Sequence, residues 1–265
     1  MNIALIILAA LRFLFIGDSI TDGGWGRSGG SDAPSEQRNH TDQNHIYGHS
    51  YMMLCAARWQ SDHAERGDQF FNRGISGNTL QQLEERWEQD ALALHPDVVT
   101  ILIGTNDVSD HLKKHPNDSV DFNYEAWGEK YRRLLDRLRC QNPEVSLVLC
   151  KPFVGRTGNI GKSADYDRRK QMVKGCGKVV EEIGHDYNAA VLDFFTMFDK
   201  LTADSTMASH WIWDGIHPTP AGHQRMADMW LNALQHNIMP TSSLPNTVPM
   251  EKQERMLVEK NAISL

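Results

Sequence analysis

The chain has 265 residues, 40% of them hydrophobic and 23% charged, which suits one large globular domain with appendages. A formal net charge of −7 argues against a polyanion such as nucleic acid as partner, because its binders present a basic face. The four cysteines, Cys55, Cys140, Cys150 and Cys176, make no C-x-x-C pair and sit in or beside apolar periodic segments; they read as reduced, buried small hydrophobes rather than a disulfide frame or a zinc site.

Taken in chain order, residues 1–11 form an apolar N-terminal segment containing "IALIILAAL", Ile3 to Leu11. No basic residue precedes it, it lacks a small-x-small cleavage site, and Arg12 stops it well short of the about 20 apolar residues of a membrane span. This favours a cytoplasmic over a secreted protein, leaves a signal remnant or an alternative start open, and predicts no membrane partner. A first strand is expected at Phe13–Gly17, and further β-rich runs fall at Gln69–Asn72, Val98–Gly104, Val145–Cys150 and Ala189–Phe194. Between them apolar residues recur at helical spacing. Leu80, Leu83, Trp87, Ala91 and Leu94 follow a Thr79–Gln82 capping box. Tyr124, Trp127, Tyr131, Leu134 and Leu138 mark a second helix, and Met172, Val173, Cys176, Val180 and Ile183 a third. A last helix follows Pro220, with Met226, Trp230 and Leu234 on one face. Strands alternating with helices predict an α/β domain over residues 12–237, with a parallel sheet covered on both faces. Three stretches, Gly23–Asn44, Ser109–Asn123 and Gly155–Asp167, are too long for ordinary connections and read as functional loops. Residues 238–265 read as a C-terminal tail.

Chemistry gathers around "GDSITD". Ser19 follows the first strand, and open α/β sheets bind ligands beyond the carboxyl ends of their strands. "NRGISGNT" follows the second strand, "GTND" the third, and "DGIHP" precedes the last helix. A serine hydroxyl needs a base beside it. His217 supplies one, and Asp214 can hold the imidazole in the right tautomer. The Ser19 and Gly77 main-chain N–H groups and the Asn106 amide would receive an oxyanion, and losing one such donor costs roughly 3–4 kcal/mol. A side chain at residue 77 would crowd that approach. Thr21 stands where a G-x-S-x-G elbow has its second glycine, which disfavours the ordinary α/β-hydrolase arrangement. Asp18 is expected to bond the loop backbone rather than to react.

Together, "GDSITD", the glycine of "NRGISGNT", "GTND" and "DGIHP", in that order, resemble the four blocks of the SGNH (GDSL) hydrolase family, over about Phe13 to Gln235. The resemblance implies a flavodoxin-like three-layer α/β/α sandwich with a five-stranded parallel sheet. It implies Ser19 as nucleophile, Asp214 and His217 as the other triad members, and Ser19, Gly77 and Asn106 as oxyanion donors. "FIGDSITD", "NRGISGNTLQQLEERWEQD" and "IGTNDV" are most similar to the acetylxylan esterase and carbohydrate deacetylase branch. The expected reaction is removal of acetyl groups from a small-molecule or oligosaccharide ester through an acyl-enzyme. The alternatives are a lysophospholipase or thioesterase acting on longer acyl chains, and an inactive carbohydrate-binding scaffold.

Trp25, Trp211 and Trp213 are candidates to stack on sugar rings, although ordinary packing explains them equally well. No cofactor and no metal are expected. The pairs His45/His49 and His111/His115 lack a third ligand, and nothing in the sequence sets the distances among Asp22, Asp42 and Asp107. "RRLLDRLR", Arg132 to Arg139, reads as a solvated helix face. A homo-oligomer is compatible with all of this.

Overall fold

A computed structural model describes residues 9–24, 46–116 and 120–237. Five strands, β1 (Arg12–Gly17), β2 (Gln69–Gly74), β3 (Val98–Leu102), β4 (Ser146–Cys150) and β5 (Ala190–Leu192), pair in parallel in the order β2-β1-β3-β4-β5. The helices that matter here are α1 (Ser19–Asp22), α2 (Tyr51–Asp62), α3 (Leu80–Asp90), α4 (Thr105–Lys114), α5 (Tyr124–Gln141), α6 (Tyr166–Asp186), α7 (Phe194–Leu201) and α8 (Pro220–Asn237). This is the flavodoxin-like order, and its switch point lies where the chain leaves β1 between β2 and β3.

The three inner strands β1, β3 and β4 read as nearly continuous apolar runs because they are covered on both faces. All of Val98–Leu102 is buried. On one face Phe13 stacks on Phe70 at 4.5 Å and meets Trp59 of α2 and Trp230 of α8 at 5.1 and 6.0 Å. Helices α3, α5 and α6 pack in sequence on the opposite face. The large indoles bring polar atoms inward, and each of these two is satisfied: Trp59 Nε1 donates to Asp68 Oδ2 (2.7 Å) and Trp230 Nε1 to Thr100 Oγ1 (2.9 Å).

Several boundaries differ from the sequence expectation for identifiable reasons. Strand β3 stops at Leu102, because Gly104, at φ +128°, turns the chain into α4. Strand β5 stops at Leu192, because Asp193 accepts from Thr196 N (2.8 Å) and caps α7. Helix α4 takes in the first part of the loop expected at Ser109–Asn123, as far as Lys114; its buried strip of Val108, Ser109 and Leu112 is too short and too polar to stand out as a period. Among the cysteines Cys55, Cys150 and Cys176 are buried, and burial pushes their thiols up. Cys140 is a correction, because it is exposed: it lies two residues after Leu138, on the far side of α5. The arginines of α5 also do more than face water. Arg133 and Arg137 reach Glu84 and Glu88 of α3 at 3.3 and 2.6 Å, surface pairs of small energetic value.

No described helix is long and apolar enough to cross a membrane. Residues 1–8, most of the Gly23–Asn44 loop and the 238–265 tail lie outside the described residues.

One packing contact predicts a pH dependence. His223 of α8 is buried, and its Nδ1 accepts from Tyr51 N at the start of α2 (3.1 Å). Burial, and then the charge of His217, lowers its pKa from 6.5 to about 4. The unfolded chain takes up this proton first as the solution becomes acidic. The contribution of a neutral His223 is therefore complete above pH 6.5 and is lost as pH falls toward 4, in all about 3 kcal/mol. His223→Asn keeps an acceptor for Tyr51 N and has no charge to gain. Thermal melts should show a shallower loss of stability between pH 6.5 and 4 in that variant than in the wild type. Parallel profiles would remove His223 from the account.

Candidate active site

The site is assembled from strand ends. After β1, Asp18 takes an extended conformation and its Oδ1 accepts from Ile20 N (3.0 Å), so the carboxylate caps α1 and presents Ser19 in the first helical position. This is the backbone role expected of Asp18. Its second oxygen, Oδ2, faces the Asn106 amide, a contact the sequence did not suggest. Burial pushes the Asp18 carboxyl up to about 7, against the opposing pull of the Ile20 N–H and of His217.

Ser19 Oγ lies 2.8 Å from His217 Nε2, and His217 Nδ1 lies 2.6 Å from Asp214 Oδ2. A carboxylate can only accept, so Nδ1 carries the ring proton and Nε2 is left to accept from the serine. The spacing of three residues works because the segment is a tight hairpin. Ile212 bridges Pro218, Trp213 N donates to His217 O (3.2 Å), and Gly215 turns the chain at φ +102°. Inside the hairpin Asp214 Oδ1 accepts from the main-chain N–H groups of Ile216 (2.9 Å) and His217 (2.8 Å). Burial pushes the Asp214 carboxyl up, but the bond from the His217 ring, the two main-chain N–H groups and the His217 charge together outweigh it. The net effect holds Asp214 below the usual carboxylate range.

Gly77 and Asn106 come from the neighbouring strand ends. Gly77 has φ +85°, and nothing lies within 4 Å of where a Cβ would be. Its backbone conformation is the one that favours glycine, and the space beside it is open. Asn106, in the first turn of α4, donates through Nδ2 to Asn78 O (3.1 Å). Its other contact, with Asp18 Oδ2, is 3.5 Å long, at the weak limit of a hydrogen bond. The Asn106 amide thus lies between the residue after Gly77 and the residue before Ser19. One of its two N–H bonds is well held and the other is loosely engaged. Next to it Asp107 Oδ1 accepts from Leu80 N (3.0 Å) and Trp127 Nε1 (3.0 Å), joining α3, α4 and α5; burial pushes this carboxyl up to about 6.

The three tryptophans separate. Trp213 is 61% exposed, and its ring lies nearly parallel to that of His217 at 6.2 Å. Trp211 is half-buried against the core, with the Arg225 guanidinium over its ring at 5.7 Å. Trp25 lies outside the described residues, as do His45 and Asp42. The rings of His111 and His115 lie 4.8 Å apart and tilted by 39°, and His111 Nε2 is 3.0 Å from Val120 O. Among the described residues no group of three or more His, Cys, Asp or Glu is arranged to hold a metal ion.

The sequence reading missed Asn78, whose carbonyl holds Asn106, and the Asp107–Trp127 tie. Both partners lie inside quoted motifs or helical periods, but which atom faces which is a property of the fold alone.

A serine hydroxyl lined up with an imidazole and a carboxylate at the switch point of a parallel sheet is built for acyl transfer, and its similarity to known esterases places this protein among the carboxylic ester hydrolases. More particularly, the chain belongs to the GDSL-like lipase/acylhydrolase family, whose model matches residues 15–225. It is 30% identical over 225 residues to an acetylxylan esterase of Geobacillus stearothermophilus, covering 84% of this chain and 93% of that protein. A solved structure of an acetylxylan esterase from the same organism is 28% identical at a TM-score of 0.64, covering 89% of this chain and 99% of that one. A GDSL-like lipase structure from Parabacteroides merdae is 33% identical at a TM-score of 0.69, covering 86% of this chain and 98% of that one. Solved catalytic mutants of the Geobacillus enzyme replace a serine, an aspartate and a histidine by alanine, the last two lying three positions apart. Another variant replaces the tryptophan directly before that aspartate.

Proposed function

We propose that this protein is a serine esterase that removes acetyl groups from an acetylated carbohydrate of the xylo-oligosaccharide kind. The observation that carries the reading is the line Ser19 Oγ–His217 Nε2 (2.8 Å) and His217 Nδ1–Asp214 Oδ2 (2.6 Å). Ser19 attacks the ester carbonyl and His217 takes the serine proton, while Asp214 keeps the ring in the accepting tautomer and stabilises the imidazolium. The negative oxygen is received by the Ser19 and Gly77 main-chain N–H groups and by the loosely engaged N–H of Asn106. Collapse expels the sugar oxygen, which takes its proton from His217 and leaves an acetyl-Ser19. Water, deprotonated by the same histidine, then releases acetate.

Three features support the carbohydrate side. A cleft on the Gly77 side of the loop is lined by Ile75 together with the polar residues Ser76, Asn78, Gln82, Glu85 and Arg86, and adjoins the triad only through Gly77. The exposed indole of Trp213 stands next to His217 and suits a sugar ring. The Geobacillus relatives are acetylxylan esterases in which a serine, an aspartate and a histidine at the same three-residue spacing were chosen as catalytic mutants, and a tryptophan precedes that aspartate, as Trp213 precedes Asp214.

A buried CH₂ contributes only about 0.8 kcal/mol, so attraction alone cannot select acetyl; rejection of longer acyl groups has to be steric. A panel of acetylated xylo-oligosaccharides beside p-nitrophenyl esters of increasing length tests this. The acetylated sugars should exceed p-nitrophenyl acetate in kcat/KM after allowance for the leaving group, and activity should fall steeply beyond short acyl chains. Better hydrolysis of octanoyl than acetyl esters, with no acetylated sugar accepted, would transfer the reading to a lysophospholipase or thioesterase.

A further inference from the structure

Arg86 of α3 is 14% exposed at its side chain and lies under the Gly77 loop. Its Nε donates to Asn78 Oδ1 (2.8 Å), Nη1 to Arg73 O (2.8 Å) and Nη2 to Gly17 O (3.1 Å). Asp90 Oδ2 accepts from Nη1 (2.9 Å), and the same carboxylate is shared with Arg73, whose Nε lies 3.7 Å from Oδ1. One guanidinium thus holds the carbonyl at the end of β1, a carbonyl near the end of β2 and the side chain of Asn78. The Asn78 main-chain carbonyl in turn accepts from Asn106 Nδ2 (3.1 Å). Gly17 O also accepts from Ile75 N (3.0 Å), and Asn78 N donates to Ile75 O (3.1 Å), so the whole turn from Ile75 to Asn78 is referred to the β1 end that carries Ser19.

We infer that Arg86 is a positioning residue for the oxyanion cradle, acting on Asn106 through Asn78. The inference rests on the proposed role of Asn106 and adds to it the part that sets its aim. A planar fork is required, since three acceptors on three different segments must be met from one side chain. A lysine ammonium keeps the charge but is a point donor and cannot span them. A donor displaced by about 1 Å can cost up to about 10²-fold in rate.

A double-mutant cycle on kcat with p-nitrophenyl acetate tests this, with KM and Tm measured in parallel. Arg86→Lys should lower kcat about 10- to 100-fold and change KM by less than about twofold. In an Asn106→Ala background the same substitution should change kcat by less than about twofold, because the group that Arg86 aims is gone. A lowered Tm with unchanged kcat would show a role in folding alone and overturn the inference. So would losses that multiply in the double variant. If Arg86→Lys does not fold, Asn78→Ala enters the same cycle; it removes the acceptor of Arg86 Nε while leaving the carbonyl that holds Asn106, and its effect on kcat should likewise vanish beside Asn106→Ala. An Asn106→Ala enzyme with unaltered kcat would sink the oxyanion reading and this inference with it, whereas a large loss there combined with multiplying effects sinks the inference alone.

Discussion

Ser19→Ala is expected to lower kcat by about 10⁴- to 10⁶-fold, the loss seen when the nucleophile of a serine triad is removed. The fold should be little affected. Among the described residues the Ser19 side chain bonds His217 only, and the Asp18 cap on Ile20 N and the αL turn at Gly23 stay in place without it. The Tm of the variant should therefore stay close to that of the wild type while turnover disappears. A fluorophosphonate probe should label the wild type at Ser19, as located by mass spectrometry of peptides, and leave the variant unlabelled. Full activity in Ser19→Ala, or an adduct on another residue, would end the proposed mechanism.

Asp214→Asn should be nearly as damaging, for a reason visible in its two oxygens. Oδ1 accepts from the N–H groups of Ile216 and His217, so an asparagine has to keep its carbonyl there and turn its NH₂ toward the ring. His217 Nδ1 then has to accept, its proton moves to Nε2, and Nε2 can no longer receive the proton of Ser19. The expected loss is about 10⁴-fold in kcat, with the hairpin and therefore Tm preserved. Asp214→Ala should cost activity and stability together, because it also abandons both main-chain donors. If Asp214→Asn retains activity within tenfold of the wild type, the carboxylate serves the turn and not the tautomer.

The α/β class, the five strands and the amphipathic helices could be read from the chain because they depend on composition and spacing. A strand buried on both faces has to be continuously apolar, as Val98–Leu102 is, and a helix against a sheet has to repeat its apolar residues, as Leu80, Leu83 and Trp87 do. Helix α4 escaped because its buried strip is short and its remaining positions are polar. Cys140 was misjudged because proximity to an apolar period does not say which face a residue occupies. The candidate residues Ser19, Gly77, Asn106, Asp214 and His217 were legible as motifs at strand ends, since turn chemistry and side-chain type are local. Trp25, singled out as an indole in a polar loop, lies outside the described residues.

What the sequence determined by itself, then, is which residue types stand where each strand ends. Only the tertiary structure decided how they meet. Residues 198 positions apart come within a hydrogen bond because the sheet order sets β1 beside β3 and the hairpin before α8 delivers His217. The same holds for the Asn106 amide against Asn78 O, for Arg86 reaching back 69 positions to Gly17 O, and for Trp211 taking Arg225 over its ring while Trp213 stands exposed beside His217. The physical reason is common to all of them. Periodicity and turn propensity are short-range properties of the chain, whereas a hydrogen bond is directional and requires both partners to be fixed in space within a few tenths of an ångström. That requirement is met only once the sheet has formed and its helices have packed.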